Sequence, residues 1–276
     1  MTNEEYKAYE TKYNLKEEHE KLLQILIAFD DYCRRKHVKY SLADGTLLGL
    51  IRHNGFIPWD DDADVMVTRE EYKKLVSLLS RTDDIVVFKA CFLDRVSTRA
   101  LIKEGYYIDL FVNDVMPENK LMFKLKVVLT GILRTYFYGN TVENVWHRSD
   151  SELKTVFRGV FTNLLGRVVE TIYKRRDIFS TNDNVADIKG EKPSEYYTRF
   201  TSRMYETNRR FRRKKYDMGY RNVMFEGHKL MALKNAEDFL IDMYGDYRQL
   251  PSINKRCPSH PVNMLDSVAK CFKFYN

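Results

Sequence analysis

The residues between Asp44 and Tyr72, DGTLLGLIRHNGFIPWDDDADVMVTREEY, hold the densest collection of chemically capable side chains in this chain. A Gly45-Thr46 pair ends an apolar run, Arg52-His53 and Pro58-Trp59 follow, and then come Asp60, Asp61, Asp62 and Asp64. DADVMV (62–67) alternates as a strand does, and a strand has period two, so Asp62 and Asp64 are expected on one face. Two carboxylates on one face repel strongly unless a cation lies between them. Hard divalent ions prefer carboxylate oxygens and bind together with substrate phosphates, which points to Mg²⁺, with Mn²⁺ as the alternative ion.

The flanking sequence supplies a frame for that pair. Residues 16–37 carry Leu22, Leu23, Leu26, Ile27, Phe29 and Cys33 at three-to-four spacing, the pattern of an amphipathic helix. VKYSLA (38–43) reads as a short strand entering a turn at Gly45-Thr46, and 47–53 as one or two helical turns. A tight turn opening into a helix N-terminus presents backbone N–H groups to a phosphate. Thr68 is a fair N-cap for a helix over 69–80, with Glu70 and Glu71 in its first turn. Residues 85–93 are β-rich, and 100–102 with 106–112 read as a hairpin around Lys103-Glu104-Gly105. Asp109 sits in that second strand between Ile108 and Leu110, where a metal is a natural partner for a carboxylate otherwise buried among apolar neighbours. The pattern of a G-[ST] turn, a D-x-D strand and a lone Asp on a later strand resembles the nucleotidyltransferase fold. The expected class is α+β, a small mixed sheet with flanking helices.

From Asn119 the chain changes to long amphipathic segments. Residues 119–137 are apolar with Lys120, Lys124, Lys126 and Arg134 at the edges, and 153–176 repeats apolar doublets every four residues. These two segments read either as a helical subdomain burying both stripes or as a surface lying on the inner leaflet of a membrane. A basic run, Arg209 to Lys215, follows. VMFEG (223–227) reads as a strand, and Asn235 as the cap of a helix stopped by Gly245. The resulting division is a catalytic core at 1–118, a helical and basic insertion at 119–222, and a segment at 223–276 that completes the core.

A chain of 276 residues with a formal charge of +7 has room for a sizeable core and favours anionic partners. Its four cysteines make no C-x-x-C pair, so they read as reduced and structural. The polar, acidic beginning does not resemble a signal peptide, and no uncharged apolar run approaches the roughly 18 residues a spanning helix needs. The expected location is cytoplasmic, with peripheral attachment to the inner face of the cell membrane as the extension of the second reading above.

GTLLGLIRHNGFIPWDDDADV resembles the signature of the LicD family, G-T-L-L-G-x-x-R-x-x-x-x-I-P-W-D-D-D-h-D, which includes bacterial phosphorylcholine transferases and is shared by fukutin-type proteins of animals. YIDLFVNDVMP (107–117) and MYGDYRQLPSINKRCPSH (243–260) are similar to two further family segments. Asp44 stands where a small residue is usual, Ala63 replaces a larger apolar one, and FVND departs from the family's F-P-h-D. The resemblance implies that a CDP-linked donor such as CDP-choline binds at Gly45 and Thr46. It implies that Asp62, Asp64 and Asp109 hold Mg²⁺ against the donor phosphates. A hydroxyl of a cell-surface glycan, or of its lipid-linked precursor, would attack the distal phosphorus and CMP would leave. Asp109 serves as metal ligand or as proton acceptor. Asp60 and Asp61 hold the turn or waters around the metal.

Arg52 is either a bidentate phosphate ligand or a surface ion pair. Arg256 and His260 are candidates to reach the phosphates from the C-terminal segment, and Trp59 is a core anchor or a wall for a quaternary ammonium. The rivals are transfer of ribitol phosphate, glycerol phosphate or phosphoethanolamine, transfer of a whole NMP by a nucleotidyltransferase, and a nucleic-acid-binding module built on the basic run. That last reading is disfavoured because the run carries no recognisable nucleic-acid-binding pattern.

Overall fold

The computed structural model describes residues 15–78, 85–92, 95–102, 107–139, 183–200, 211–212 and 219–258. The second amphipathic segment (153–176), His260 and nearly all of the basic run lie outside these residues. The elements are α1 (Leu15–Arg35), β1 (Ser41–Leu42), α2 (Asp44–His53), β2 (Asp64–Thr68), α3 (Arg69–Leu78), β3 (Ile85–Phe92), β4 (Arg95–Ile102), β5 (Tyr107–Pro117), α4 (Lys120–Gly139), β6 (Pro193–Thr198), β7 (Phe211–Arg212), β8 (Tyr220–Phe225), β9 (His228–Leu233) and α5 (Ala236–Tyr244). The class is α+β, as the sequence leads one to expect.

The chain forms two compact units. The first comprises 1–87, 99–111 and 211–266, the second 88–98, 112–210 and 267–276. Composition shifts at Asn119, but the spatial division falls inside β5.

In the first unit β1, β2, the first half of β5 and the end of β4 lie side by side in that order. β1 pairs antiparallel with β2, Ser41 opposite Met66 and Leu42 opposite Val65. α1 buries Leu22, Ile25, Leu26, Phe29, Tyr32 and Cys33, and its ends carry Glu17-Glu18 and Arg34-Arg35, which suit the helix dipole. Thr68 caps α3, its Oγ1 accepting from Glu71 N at 3.3 Å.

Two local readings are corrected and a third is refined. The helix expected at 47 begins at Asp44, so Gly45 and Thr46 form its first turn, with Leu47 N donating to Ala43 O. The strand at 223–227 is one arm of a full hairpin, β8 pairing antiparallel with β9 from Tyr220–Leu233 to Phe225–His228. Its two-residue turn, Glu226-Gly227, takes φ of 47° and 77°, as a primed hairpin turn requires. Asn235 stands at the N-cap of α5 as expected, with Gly245 at its C-cap, but makes no side-chain cap bond; its Nδ2 donates to Asp238 Oδ2 at 3.4 Å. The β8–β9 hairpin is anchored to β1: Leu233 N donates to Ser41 Oγ at 2.9 Å and Met231 N to Tyr40 Oη at 3.3 Å, both buried.

In the second unit β6 pairs antiparallel with β5, Asp114 opposite Thr198 and Val115 opposite Tyr197, with a register shift between Val115 and Pro117. Met116, Phe123, Ala186 and Phe200 form its core, with Val127 and Tyr196 packed against them. Phe200 N donates to the buried Asp114 carboxylate at 3.1 Å.

Candidate metal centre

β2 begins at Asp64, not Asp62, so the two carboxylates do not share a regular strand. They nonetheless converge. Oxygens of Asp62, Asp64 and Asp109 lie within 4.8 Å of one another. Asp109 is brought there by β5 running beside the start of β2, with Asp109 N donating to Ala63 O at 2.9 Å.

Asp64 is fixed by its neighbours on α2. Its N–H donates to Thr46 Oγ1 at 2.8 Å, its carbonyl accepts from Ala43 N at 3.0 Å, and its Oδ2 accepts from Gly45 N at 3.3 Å. Gly45 and Thr46, read as a phosphate turn, thus orient the carboxylate strand directly. A Cβ at position 45 would sit 2.7 Å from Asp60 Oδ2, so any larger residue there displaces the Asp60 carboxylate.

That close approach also places the Asp60 carboxylate at this site. Asp60, Asp61 and Asp62 form a second group of oxygens within 4.8 Å of one another. Burial, and then the carboxylates of Asp62 and Asp61, hold Asp60 well above the usual carboxylate range. The same is true of Asp64, through burial first and then Asp62, Asp44, Asp109 and Asp60. Gathering this much like charge with little solvent is costly unless a cation shares it. The donor set is all oxygen, which suits Mg²⁺.

Sequence reasoning missed two supports of the acidic loop. His19 lies on the buried side of α1, and its Nε2–H donates to Asp60 O at 2.7 Å while its ring stacks on Phe56 at 4.6 Å. The available signal was a polar residue on the buried, apolar side of α1, three before Leu22. Glu226, at the β8–β9 turn, adds another support by accepting from Phe56 N at 2.9 Å.

Arg52 is a half-buried side chain, not a surface ion pair. Its Nη1 donates to Tyr247 O at 3.3 Å and Gln249 O at 3.5 Å, and its Nε to His53 Nε2 at 3.0 Å. Burial lowers the Arg52 pKa while the Asp60 charge opposes that. His53 is pushed down to about 4 by burial and by the Arg52 charge, so its ring is neutral at pH 7. Trp59 is buried, with His53 edge-on at 6.1 Å and the Arg256 guanidinium over its ring at 5.5 Å. It is therefore a core anchor whose ring already carries a cation. Arg256 Nε donates to Pro251 O at 2.9 Å.

An α+β domain with a cluster of carboxylates set between strands and a helix N-terminus is the class defined so far. Residues 37–130 match the model of the LicD/FKTN/FKRP nucleotidyltransferase domain. The chain is 26% identical over 267 residues to the lipopolysaccharide cholinephosphotransferase LicD of Haemophilus influenzae, covering 90% of this chain and 97% of that protein. An uncharacterized protein of Rickettsia prowazekii is 24% identical over 139 residues, 45% of this chain and 52% of its own length. Residues 37–130 are thus similar to a LicD-type nucleotidyltransferase domain, and nearly the whole chain is similar to a protein that is a cholinephosphotransferase.

Proposed function

We propose that the protein transfers a phospho-substituent, phosphocholine foremost, from a CDP-activated donor to a hydroxyl of a cell-surface glycan or its lipid-linked precursor. The observation that carries this reading is the convergence of Asp62, Asp64 and Asp109 beside the first turn of α2. The similarity to a cholinephosphotransferase along nearly its whole length supports the choice of group.

Asp62, Asp64 and Asp109 would hold Mg²⁺, which when bound neutralises donor phosphate charge and polarises the phosphoryl oxygen. Thr46 and Gly45 keep Asp64 in place, and His19 keeps the Asp60 loop in place, so the carboxylates meet the donor without rearrangement. Arg52 and Arg256 supply positive charge for the diphosphate. In the reaction the acceptor oxygen bonds to the distal phosphorus as the bond from that phosphorus to the bridging oxygen breaks. CMP departs with the bonding pair, and the hydroxyl proton passes to a carboxylate, Asp109 in this reading, and then to solvent. The work is assigned to the cytoplasmic side, where a CDP-linked donor is made.

The test is a release assay over CDP-choline, CDP-ethanolamine, CDP-glycerol and CDP-ribitol, with Mg²⁺ or with EDTA. CMP release that needs the metal is expected, with CDP-choline the best donor. Turnover indifferent to EDTA sinks the mechanism, and pyrophosphate in place of CMP assigns the chain to NMP transfer.

A further inference from the structure

Helix α4 in the second unit is apolar on two opposite sides. One side, Phe123, Thr130 and Leu133 with Val127 alongside, is turned into the protein. The other carries Leu121, Leu125, Val128, Leu129 and Ile132, at the i, i+4, i+7, i+8, i+11 spacing of a continuous stripe. This second stripe is exposed: Leu121 at 74% and Val128 at 55% of full accessibility. A helix packed on a water-facing surface normally presents polar residues there, and a contiguous exposed apolar stripe marks an interaction surface.

The charges along α4 are all of one sign. Residues 120–139 contain Lys120, Lys124, Lys126 and Arg134 and no Asp or Glu. Lys126 is occupied inward, with Glu191 at 2.9 Å. Lys120 and Lys124 are exposed and fall on one flank of the stripe, where long stems reach past apolar surface to keep their ammonium groups in water. A cleft of about 810 Å³ opens beside the stripe and shares Val128 and Lys124 with it. Met116, Phe123, Val127 and Tyr196 make it largely apolar; of its two carboxylates, Glu118 is paired with Lys192 at 2.7 Å and Glu195 is exposed on β6, not on α4 with the stripe-flanking Lys120 and Lys124. Among the described residues no helix is long and apolar enough to cross a membrane.

We propose that the exposed face of α4 and the adjoining cleft dock the protein on an anionic lipid bilayer. The stripe enters the acyl boundary with the helix lying in the plane of the leaflet, and Lys120 and Lys124 meet the acidic headgroups. The one-sided positive charge beside an apolar stripe is complementary to that surface. The inference does not depend on the transferase reading.

The test is flotation of the full chain with vesicles of phosphatidylcholine alone or with phosphatidylglycerol added. Flotation with the anionic vesicles is expected. Lys120→Gln with Lys124→Gln should weaken partitioning by about thirty-fold, and the effect should shrink on neutral vesicles. Leu125→Ser with Val128→Ser should reduce flotation on both vesicle types. All four positions are exposed, so an unchanged thermal midpoint is the control, and the lysine pair serves as a second test should the apolar variant prove unstable. A wild-type chain that stays at the bottom of the gradient overturns the proposal. So does flotation that neither pair of substitutions alters.

Discussion

Lys126 on α4 and Asp64 on β2 are both buried ionisable side chains, but their surroundings differ in charge balance. Lys126 has three ammonium donors and three acceptors around it: Val185 O and Asp187 O, each at 2.8 Å, and Glu191 Oε1 at 2.9 Å. Asp64 lies among four other carboxylates, those of Asp62, Asp44, Asp109 and Asp60, all of which raise its pKa. The second unit balances the buried charge of Lys126 within its own chain, whereas the first accumulates charge of one sign. A balanced buried ion holds local structure. An accumulation of like charge lowers stability by itself and is explicable where a ligand of opposite charge belongs.

The largest expected effect follows from that contrast. Asp64→Asn removes a ligand and a charge at once. Turnover should fall by about a thousandfold, the equivalent of several kcal/mol of lost transition-state stabilisation. The fold should persist, and in EDTA the thermal midpoint should equal or exceed that of the wild type because like-charge repulsion is relieved. A midpoint well below wild type in EDTA would break the comparison, since Asp64 would then be a structural ion like Lys126.

Lys126→Ala should do the opposite. It leaves Glu191 and two carbonyls without their donor, and removing one partner of a buried pair costs about 3–5 kcal/mol. The side chains of Lys126 and Glu191 are 7% and 21% exposed, which places the cost toward the lower end. Denaturant unfolding should show this loss whether or not Mg²⁺ is present.

The third expectation concerns metal and pH together. Asp60 and Asp64 have folded pKa values raised above the ordinary 3.8, so the folded state holds more protons than the unfolded chain from that value upward. Without metal, their contribution to stability therefore falls as pH rises through that window. His53 acts in the other direction. Its folded pKa of about 4 lies below the ordinary 6.5, so between those values the unfolded chain holds the extra proton and stability rises with pH. The two contributions oppose each other in a single midpoint curve but separate in the difference between Mg²⁺ and EDTA. The Mg²⁺ increment should be small near pH 4 and grow toward neutrality, reaching about 2.7 kcal/mol at a hundredfold excess over the dissociation constant. Substituting His53 by Gln should flatten the slope between pH 4 and 6.5 and leave the Mg²⁺ increment unchanged.

What could be read from the sequence follows the range of the interactions involved. α1 was legible because its apolar spacing is local, whereas the grouping of Asp62, Asp64 and Asp109 was expected from the resemblance of the motif, since the period-two argument needs a strand that begins only at Asp64. The start of α2 was not legible, because Gly45 and Thr46 look like turn residues until Asp64 is known to use both of them. The β8–β9 hairpin was seen as one strand: its turn is Glu-Gly, which lacks the propensity of Asn-Gly or Asp-Gly for φ > 0 at both positions. Its anchoring to β1 through Ser41 and Tyr40 spans some 190 residues and has no local signature. The roles of His19 and Glu226 were hidden for the same reason. Each side chain meets its partner across 41 or 170 residues.

Thr46→Val separates placement of the carboxylate from its chemistry. The side chain is 1% exposed, so the isosteric change keeps the packing but removes the acceptor for Asp64 N–H. The cost should be about 1–3 kcal/mol of stability. Every carboxylate remains, so the activity lost should be recoverable at high Mg²⁺, unlike that of Asp64→Asn. A variant that saturating metal does not rescue would show that Thr46 meets the donor directly.

The smallest effect is expected at Asp44, where backbone and charge arguments coincide. Asp44 opens α2 with φ of 39°, a left-handed conformation that glycine adopts freely and other residues adopt at a cost of about 1 kcal/mol. Its carboxylate is also one of those raising the Asp64 pKa. Asp44→Gly should remove both penalties, offset in part by the greater freedom glycine gives the unfolded chain, for a net gain of a few tenths to about 1 kcal/mol. The strain component is independent of pH and metal, while the charge component is screened when a cation is bound. The gain should therefore be larger in EDTA at pH 7 than in Mg²⁺, and smaller in EDTA at pH 4. A gain equal in all three conditions assigns the effect to the backbone alone. A loss of Mg²⁺ response would make Asp44 a further member of the metal centre, extending the accumulation of negative charge that distinguishes this unit to the first residue of α2.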